Sequence, residues 1–346
     1  MKTIYTLHEY GSPTHFNGLC TLAEQNGYKV KHREIRQRNA IKRLLFELNF
    51  HIVANIIFLL SLPFRKRCKV VLAIAPYNSL LPLLMKILHK HEVYYFTSYT
   101  CWDQTMSVHS LKGNTKLLKS WKRFTNEYVK HIFAVSQKTK DEIVINGFSS
   151  SERVSVVNHS LKKNINPGQQ TKTLTFVQVG RLSPAKGVIE LLEFFKRNRN
   201  YSISFVGSGA LQAEVEVASK EYDNIHYLGY VKSFDKLVEI YKGHSFVIMN
   251  SQRLPDSAWE ELFGMALIEG MACGCVPIAS NHTGPKEIIR NGVNGLLYAA
   301  NNLNKTLLKL TELSNDKYLD IREQTINSTQ QYKRENISHR WKKVLD

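Results

Sequence analysis

Short apolar runs alternate with amphipathic stretches along the first half of the chain. Residues 3–7, 70–75 and 93–98 are apolar runs of strand length, and residues 19–26 place apolar side chains at helical spacing before Gly27. Buried strands of a parallel sheet are apolar throughout, whereas the helices between them are apolar on one face. The alternation therefore predicts strands and helices in turn, which is typical of a Rossmann-like α/β domain.

The same alternation starts again after a polar segment. Residues 162–172 are polar and contain Asn-Pro-Gly, which is typical of a linker. Beyond them, residues 174–179, 203–206 and 246–250 are again apolar runs of strand length. The pattern therefore predicts a first Rossmann-like domain over residues 1–165 and a second over residues 166–328, followed by a closing helix.

Residues 259–279 carry the most informative pattern of the chain. Gly264 closes a loop, the small and apolar residues after it predict a tightly packed helix, and Gly274 ends that helix before a short strand. Helical side chains lean toward the helix N-terminus, so we expect Glu269 to point back to the loop that carries Glu261. Free N–H groups at a helix start attract phosphate, and carboxylates accept hydrogen bonds from hydroxyls. Together these groups favour a sugar nucleotide as the ligand.

Two cations follow the first strand of the second domain. Arg181 and Lys186 lie in the loop after residues 174–179. An arginine fork with a lysine point charge is suited to bind a diphosphate as the sugar leaves. An isolated pair of this kind is more often a solvated surface feature. Combined with the two glutamates, the pair favours a diphosphate site.

The glutamates and the residues around them resemble the signature of a known enzyme family. Glu261 and Glu269, separated by seven residues, the Phe263-Gly264 step and the ending Gly274-x-Val276-Pro277 resemble the E-x7-E motif of retaining glycosyltransferases of family 4. The resemblance covers the second domain nearly throughout and is thin in the first. It implies the GT-B fold, an α/β fold in which two Rossmann-like domains face each other across a cleft. It also implies that residues 329–346 form a C-terminal helix that packs back on the first domain.

The resemblance implies an activity and a set of site residues. The activity is the retaining transfer of a hexosyl or N-acetylhexosaminyl group from a nucleotide-diphosphate sugar to a cell-envelope glycan, as in polysaccharide, lipopolysaccharide or O-antigen biosynthesis, or to a lipid-linked acceptor. The implied catalytic residues are Glu261, Arg181 and Lys186. The implied donor-binding residues are Glu269, Phe263, Gly264, Met265, Gly11 and Tyr230. Glu269 is expected to bind ribose hydroxyls, and Tyr230 is expected to lie next to the base.

Candidate acceptor residues lie in the first domain. His15 belongs to the loop after the first strand, where Rossmann-like folds bind ligands, and a packing role is an equally good interpretation. Many members of the family place a histidine near residues 99–104, and this chain has none there. Asp103 and the more distant His109 are the polar candidates in that region. The missing histidine leaves open a GT-B scaffold that binds a nucleotide sugar without transferring it.

Composition limits the remaining choices. The chain has 346 residues, of which 43% are hydrophobic and 22% charged, which suits a folded protein of two domains. Its 5 cysteines are scattered and odd in number, so we expect no disulfide framework. The first residues lack the apolar run of a signal peptide, so we expect a cytoplasmic protein. No Asp-x-Asp motif is present, so we expect neither a metal ion nor a cofactor beyond the sugar nucleotide.

The charge of the chain raises two further hypotheses. A formal charge of +18 attracts polyanions, but no helix-turn-helix, zinc-finger or RNP pattern supports a nucleic-acid-binding protein, which is the weaker alternative. Residues 29–69 contain a basic stretch, a short apolar run and then Phe64-Arg65-Lys66-Arg67. The apolar run is too short to cross a bilayer. A segment on an anionic membrane surface and a core helix between solvated basic turns both stay open.

Overall fold

The computed structural model forms two compact α/β units. It describes residues 2–9, 13–35, 50–99, 102, 115–169, 171–254, 260–299 and 301–346. The first unit comprises Met1–Lys162 together with Arg334–Asp346, and the second comprises Lys163–Lys333. The polar residues around position 162 thus mark the passage from one unit to the other.

The first unit is built on a parallel sheet. Its described strands have the order β2-β1-β3-β4-β5-β6. They are β1 Lys2–His8, β2 Tyr28–Glu34, β3 Lys69–Ala73, β4 Glu92–Thr97, β5 Ile132–Ala134 and β6 Val154–Val156. The helices are α1 Asn17–Gln25, α2 Phe50–Ser61, α3 Leu81–Leu88, α4 Thr115–Arg123 and α5 Gln137–Ile145. Strand residues such as Leu7, Val70 and Tyr95 are fully buried, as their apolar runs predict.

The second unit repeats this architecture. Its described strands have the order β12-β11-β10-β7-β8-β9, again in parallel. They are β7 Thr175–Val179, β8 Ser202–Val206, β9 Ile225–Tyr227, β10 Phe246–Met249, β11 Val276–Ser280 and β12 Leu296–Tyr298. The helices are α6 Val188–Arg197, α7 Gln212–Glu221, α8 Phe234–Lys242, α9 Met265–Cys273, α10 Thr283–Ile288, α11 Leu303–Leu308 and α12 Asn315–Ser328.

Strand order reverses once in each sheet. The reversal lies between β1 and β3 in the first sheet and between β7 and β10 in the second. Loops that leave the carboxyl ends of such neighbouring strands turn to opposite faces of the sheet, so a crevice opens between them. We call these two places the first crevice and the second crevice.

The C-terminal tail differs from the single helix that the sequence predicts. Thr329–Tyr332 is a 3₁₀ turn, Arg334–Ser338 is a short helix, α13, and His339–Val344 is again a 3₁₀ turn. Lys333 interrupts the helical path because its backbone is extended, with φ −60° and ψ 146°. The tail packs on α1, where a Cβ at Gly18 would lie 2.7 Å from Ile337 Cγ2. Close contact with α1 therefore requires glycine at position 18.

Candidate active site

Lys186 and Glu261 form an ion pair at the second crevice. Lys186 Nζ contacts Glu261 Oε2, and the two side chains are only 17% and 13% exposed. Ser251, in the loop after β10, donates from Oγ to the same carboxylate oxygen at 3.0 Å. The pair joins the loop after β7 to the segment before α9, although 75 positions separate the two residues. Two sequence-predicted site residues are thus brought into direct contact.

The loop that carries Lys186 is fixed to the loop after β10. The Asn250 side chain donates from Nδ2 to the Gly187 carbonyl at 2.9 Å, and Gln252 N–H donates to the Ala185 carbonyl at 2.9 Å. Gly187 has φ +61°, and a Cβ there would overlap the Asn250 carbonyl oxygen. Tyr298 O–H holds Asn250 Oδ1 at 2.6 Å. Lys186 is therefore held on a loop with a fixed position.

A neutral histidine supports the backbone of Glu261. Glu261 N–H donates to His282 Nδ1 at 3.4 Å, and His282 Nε2 lies 2.9 Å from the Ser251 carbonyl. Burial, with the nearby Arg253 cation, lowers the pKa of His282. These contacts fit the neutral ring with its proton on Nε2, which donates to the carbonyl. Gly284 N–H donates to the Glu261 carbonyl at 2.8 Å, so the backbone N–H and the backbone carbonyl of Glu261 are both held.

Sequence reasoning gave no role to Ser251 or His282. Ser251 comes two residues after the end of β10 and His282 two residues after the end of β11. Both strands end at the edge of the sheet where ligands bind in parallel α/β folds. Their positions in the sequence, just beyond two buried strands that are neighbours in the sheet, could therefore have indicated Ser251 and His282 as site residues.

Arg181 is exposed at the mouth of the second crevice. A Cβ at Gly207 would overlap the Gly180 carbonyl, and one at Gly209 would overlap the Leu182 carbonyl. The loops after β7 and β8 thus touch backbone to backbone on both sides of Arg181. Within the part of the chain that the structure describes, the Arg181 guanidinium makes no ion pair.

Helix α9 begins at the crevice without a side-chain cap. Gly264, with φ +114°, is its N-cap residue, and Met265 is its first residue. The first N–H groups of a helix have no partner within the helix, so they are available to an anion. Phe263 is 5% exposed, and its ring meets the Tyr332 ring edge-on at 5.8 Å. These residues place open backbone donors three residues after Glu261.

Glu269 lies in the second turn of α9 and is 5% exposed. Burial, with the Glu269 carboxylate nearby, raises the pKa of Tyr241 on α8. Helix α9 packs closely on β10, since a Cβ at Gly270 would lie 2.8 Å from Val247 Cβ. The small residues of α9 therefore bring its backbone against the sheet, as the sequence predicts. Binding of ribose hydroxyls by Glu269 stays a prediction.

Tyr230 is presented to solvent at the same edge of the sheet. Its side chain is 69% exposed and follows Gly229, which has φ +69°. Gly207 N–H donates to the Gly229 carbonyl at 2.9 Å, which ties the loop after β9 to the loop after β8. An exposed aromatic ring on a supported loop is available to stack on a base.

The first crevice holds a cavity of about 200 Å³, lined in part by His8, Glu9 and His15. Glu9 is 7% exposed and accepts hydrogen bonds from Ala75 N–H, at 3.0 Å, and from the Asn78 amide. His15 lines the cavity and also stacks on His159, with ring centroids 4.2 Å apart.

His15 thus combines the packing role and the cavity position between which the sequence could not choose. Burial lowers its pKa, as it does that of His159. Three other candidates, Gly11, Asp103 and His109, lie outside the described residues. In the described ranges, no three His, Cys, Asp or Glu side chains are arranged to hold a metal ion.

The second unit is similar to a known protein family. Residues 161–332 match the family described as glycosyl transferases group 1. The matched residues include both partners of the Lys186–Glu261 ion pair and all of α9. The core of the candidate site therefore lies inside the region that is similar to this family.

Several solved structures resemble the whole chain. Anabaena HepE in complex with UDP-glucose superposes with a TM-score of 0.69 at 16% identity, over 100% of this chain and 99% of HepE. The lipopolysaccharide outer core galactosyltransferase WaaB superposes with a TM-score of 0.66 at 17% identity, over 100% of this chain and 99% of WaaB. At such identities the likeness concerns the fold alone. It confirms the predicted fold class, α/β of the GT-B type.

Curated relatives are similar over part of their length. An uncharacterized glycosyltransferase of Methanocaldococcus jannaschii is 35% identical over 143 residues, which are 41% of this chain and 38% of the relative. The lipopolysaccharide 1,2-N-acetylglucosaminetransferase of Salmonella typhimurium is 29% identical over 166 residues, which are 44% of this chain and 42% of that relative. The chain thus spans about two-fifths of the length of these relatives.

Proposed function

We propose that this chain is a retaining glycosyltransferase of family 4. It moves a hexosyl or N-acetylhexosaminyl group from a nucleotide-diphosphate sugar to a cell-envelope glycan or a lipid-linked acceptor, without a metal ion or a further cofactor. The Lys186–Glu261 ion pair carries the proposal together with the uncapped start of α9, whose N-cap residue Gly264 follows Glu261 by three residues. The ion pair and the helix start together supply a cation, a carboxylate and open N–H groups at one crevice.

The leaving diphosphate needs positive charge. A lysine ammonium has three donors, so Lys186 can contact Glu261 and still bind phosphate oxygens. Arg181 and the N–H groups of Gly264 and Met265 supply the remaining donors. Because the loop of Lys186 is fixed, this charge is in place before the bond breaks. Such preorganised donors contribute about 10²–10³ in kcat each.

Glu261 is proposed to orient the donor sugar. Lys186 and Ser251 both bind its Oε2 atom. Among the described residues no side chain occupies Oε1, which therefore remains an acceptor for a sugar hydroxyl. As in the family that the chain resembles, we propose that the acceptor hydroxyl attacks C1 from the face that the phosphate leaves. The C1–O bond to the diphosphate breaks, and the acceptor proton passes to a phosphate oxygen.

A donor screen tests the proposal. HepE was solved with UDP-glucose, and the name of the Salmonella relative specifies N-acetylglucosamine, so UDP-sugars come first. We expect one donor among UDP-, GDP-, ADP- and TDP-sugars to raise the unfolding temperature, because a ligand at a hundred times its Kd adds about 2.7 kcal/mol of stability.

Turnover then separates a transferase from a binding scaffold. With the stabilising donor and cell-envelope glycans as acceptors, NMR of the product is expected to show the donor's anomeric configuration, and EDTA is expected to leave the rate unchanged. Binding without turnover of any acceptor would favour the scaffold instead. An inverted product or loss of activity in EDTA would contradict the mechanism.

The proposed location is the cytoplasm, with contact to the membrane that holds a lipid-linked acceptor.

A further inference from the structure

One side of helix α2 packs against described residues of the first unit. On the inner side Phe58 is 4% exposed, with its ring centroid 4.8 Å from that of Tyr5, and Leu62 just beyond the helix is fully buried. The Asn55 side chain donates from Nδ2 to the Glu34 carbonyl at 3.1 Å, at the end of β2. The inner face therefore anchors the helix to the sheet of the first unit.

The outer side of α2 is apolar as well. Val53, Ile56, Ile57 and Leu60 are 42%, 44%, 61% and 63% exposed. At 3.6 residues per turn these four side chains fall within an arc of about 100°. Phe64, in the turn Leu62–Phe64 that follows, is 89% exposed. We call these five residues the apolar stripe.

A continuous apolar stripe in water is unusual. Surface helices of soluble proteins turn polar side chains outward, and scattered single apolar residues need no explanation. Four large apolar side chains on one helix face, with Phe64 in the turn that follows, form a patch of the kind that marks an interaction site. The stripe therefore predicts a partner with an apolar phase.

Cations lie next to the stripe. A cavity of about 510 Å³ is lined by Lys2, Arg65, Lys66, Arg67 and Lys69. We call these five cations the basic rim; Glu92 is the carboxylate in the same lining. His91 fixes the turn between stripe and rim, since its Nε2 lies 2.9 Å from the Leu62 carbonyl and its Nδ1 accepts Cys68 N–H at 3.2 Å. The rim is thus held directly beside Phe64.

We propose that the apolar stripe and the basic rim dock the first unit onto the surface of an anionic phospholipid bilayer. Stripe side chains enter the boundary between headgroups and acyl chains, and the exposed rim cations Lys2, Arg65 and Lys66 bind lipid phosphates, whereas Arg67 and Lys69 pair with Glu92. Among the described residues no helix has the length and apolar character to cross a membrane. The 12 residues of α2 span about 18 Å, against an apolar core of about 30 Å, so the helix lies on the bilayer.

Charge complementarity selects this occupant. A second copy of the chain would bring its own basic rim and repel the first, because the formal charge is +18. Nucleic acid would meet the cations but leave the stripe in water. An anionic bilayer offers apolar acyl chains to the stripe and phosphate groups to the rim. The purpose of docking, access to a lipid-linked acceptor, rests on the proposed function, whereas the binding itself does not.

Vesicle sedimentation of the full chain tests the proposal. We expect the protein to pellet with vesicles of equal parts phosphatidylcholine and phosphatidylglycerol, to stay in solution with phosphatidylcholine alone, and to bind less as salt rises. The double variant Leu60→Gln/Phe64→Gln is expected to bind at least about tenfold more weakly. Its matched control is Ile145→Gln, because Ile145 is 79% exposed on α5, outside the stripe.

A second pair of variants tests the rim. Lys66→Gln is expected to weaken binding about fivefold, since each cation near an anionic surface contributes about that factor. Lys317→Gln, at an exposed position of α12, is expected to have no effect.

Three results would overturn the proposal. They are equal pelleting with both lipids, equal binding by Leu60→Gln/Phe64→Gln and its control, and a dimer in gel filtration that the same double variant dissociates. Circular dichroism and the thermal shift with nucleotide sugars report folding and donor binding separately. A protein that binds donor but not vesicles refutes docking alone, and the reverse result refutes only the proposed function.

Discussion

The two crevices hold different kinds of polar groups. The second crevice contains a charged pair, Lys186 and Glu261, on loops that Asn250 fixes through Gly187. The first crevice contains Glu9, which accepts from the Ala75 N–H and the Asn78 amide, and His15, whose pKa burial lowers. One sheet architecture thus supports a lysine–glutamate ion pair in one unit and a carboxylate beside buried imidazoles in the other.

This difference indicates a division of labour. Fixed cations beside open helix N–H groups suit a diphosphate, which carries charge into the site. Neutral imidazoles and a single carboxylate suit sugar hydroxyls, which exchange hydrogen bonds without charge. We therefore expect changes at the second crevice to affect the donor and changes at the first to affect the acceptor. Four experiments test this comparison.

The largest effect is expected from Lys186→Ala. The variant loses a diphosphate cation and leaves the Glu261 carboxylate, 13% exposed, without its ion pair. We expect the transfer rate to fall by about 10²–10³, as for removal of one preorganised donor. Lys317→Ala, at an exposed position on α12, is the matched control and is expected to keep full activity. Equal rates in both variants would remove Lys186 from the mechanism.

Gly187→Ala tests whether the fixed loop matters. Alanine at φ +61° costs about 1–2 kcal/mol for the left-handed backbone, and its Cβ would also overlap the Asn250 carbonyl. Gly292→Ala is the matched control, because Gly292 has φ +75° with no atom within 4 Å of the added Cβ. In urea unfolding we expect Gly187→Ala to lose about 1–3 kcal/mol more than the control. Equal losses would show that the contact with Asn250 is unimportant.

Glu9→Gln tests the first crevice. The change removes the charge that accepts from Ala75 and Asn78, and a hydrogen bond to a charged group contributes about 1.5–3 kcal/mol. We expect the KM for the acceptor to rise about tenfold or more. Donor affinity, measured by thermal shift, is expected to stay unchanged. A matching loss of donor affinity would contradict the division between the crevices.

The smallest effect is expected from acid. Burial lowers the pKa of five histidines in the first unit, which are His15, His32, His91, His131 and His159. The pKa of His131 falls to about 4. In the second unit, burial lowers the pKa of His244 and His282. These rings are neutral when folded and take up protons more readily when unfolded. Their stabilising effect is therefore complete above pH 6.5, the ordinary value, and is lost as the pH falls toward the folded values.

We therefore expect the first unit to lose stability first below about pH 6.5. Trp102, Trp121 and Trp341 are buried in the first unit, so fluorescence of a Trp259→Phe variant reports on that unit. Its unfolding midpoint is expected to fall faster with acid than the midpoint seen by far-ultraviolet circular dichroism, which includes both units. Coincident midpoints at every pH would contradict this difference.

Much of this architecture could be predicted from the sequence. The apolar runs at residues 70–75 and 174–179 became β3 and β7, and Gly264 and Gly274 bound α9 as expected. The E-x7-E pattern and the cations after β7 predicted that Glu261 and Lys186 serve one site. Such signals are local, because they depend on periodicity and on the backbone that glycine permits.

Other features depend on partners far along the chain. No local pattern reports that His282 supports Glu261, or that Asn250 holds Gly187 across 63 positions. The predicted closing helix instead breaks at Lys333, and its residues pack on α1. The apolar run of α2 fits both a core helix and a segment on a membrane surface, and the structure shows which of its side chains are exposed.

The sequence by itself thus determined the alternation of strands and helices and the residue types at the second crevice. The tertiary structure decided which side chains meet, which histidines are buried and neutral, and which apolar face of α2 lies in water. The reason is physical: propensity and periodicity act over a few neighbouring residues, whereas burial depends on elements that meet only after the chain has folded.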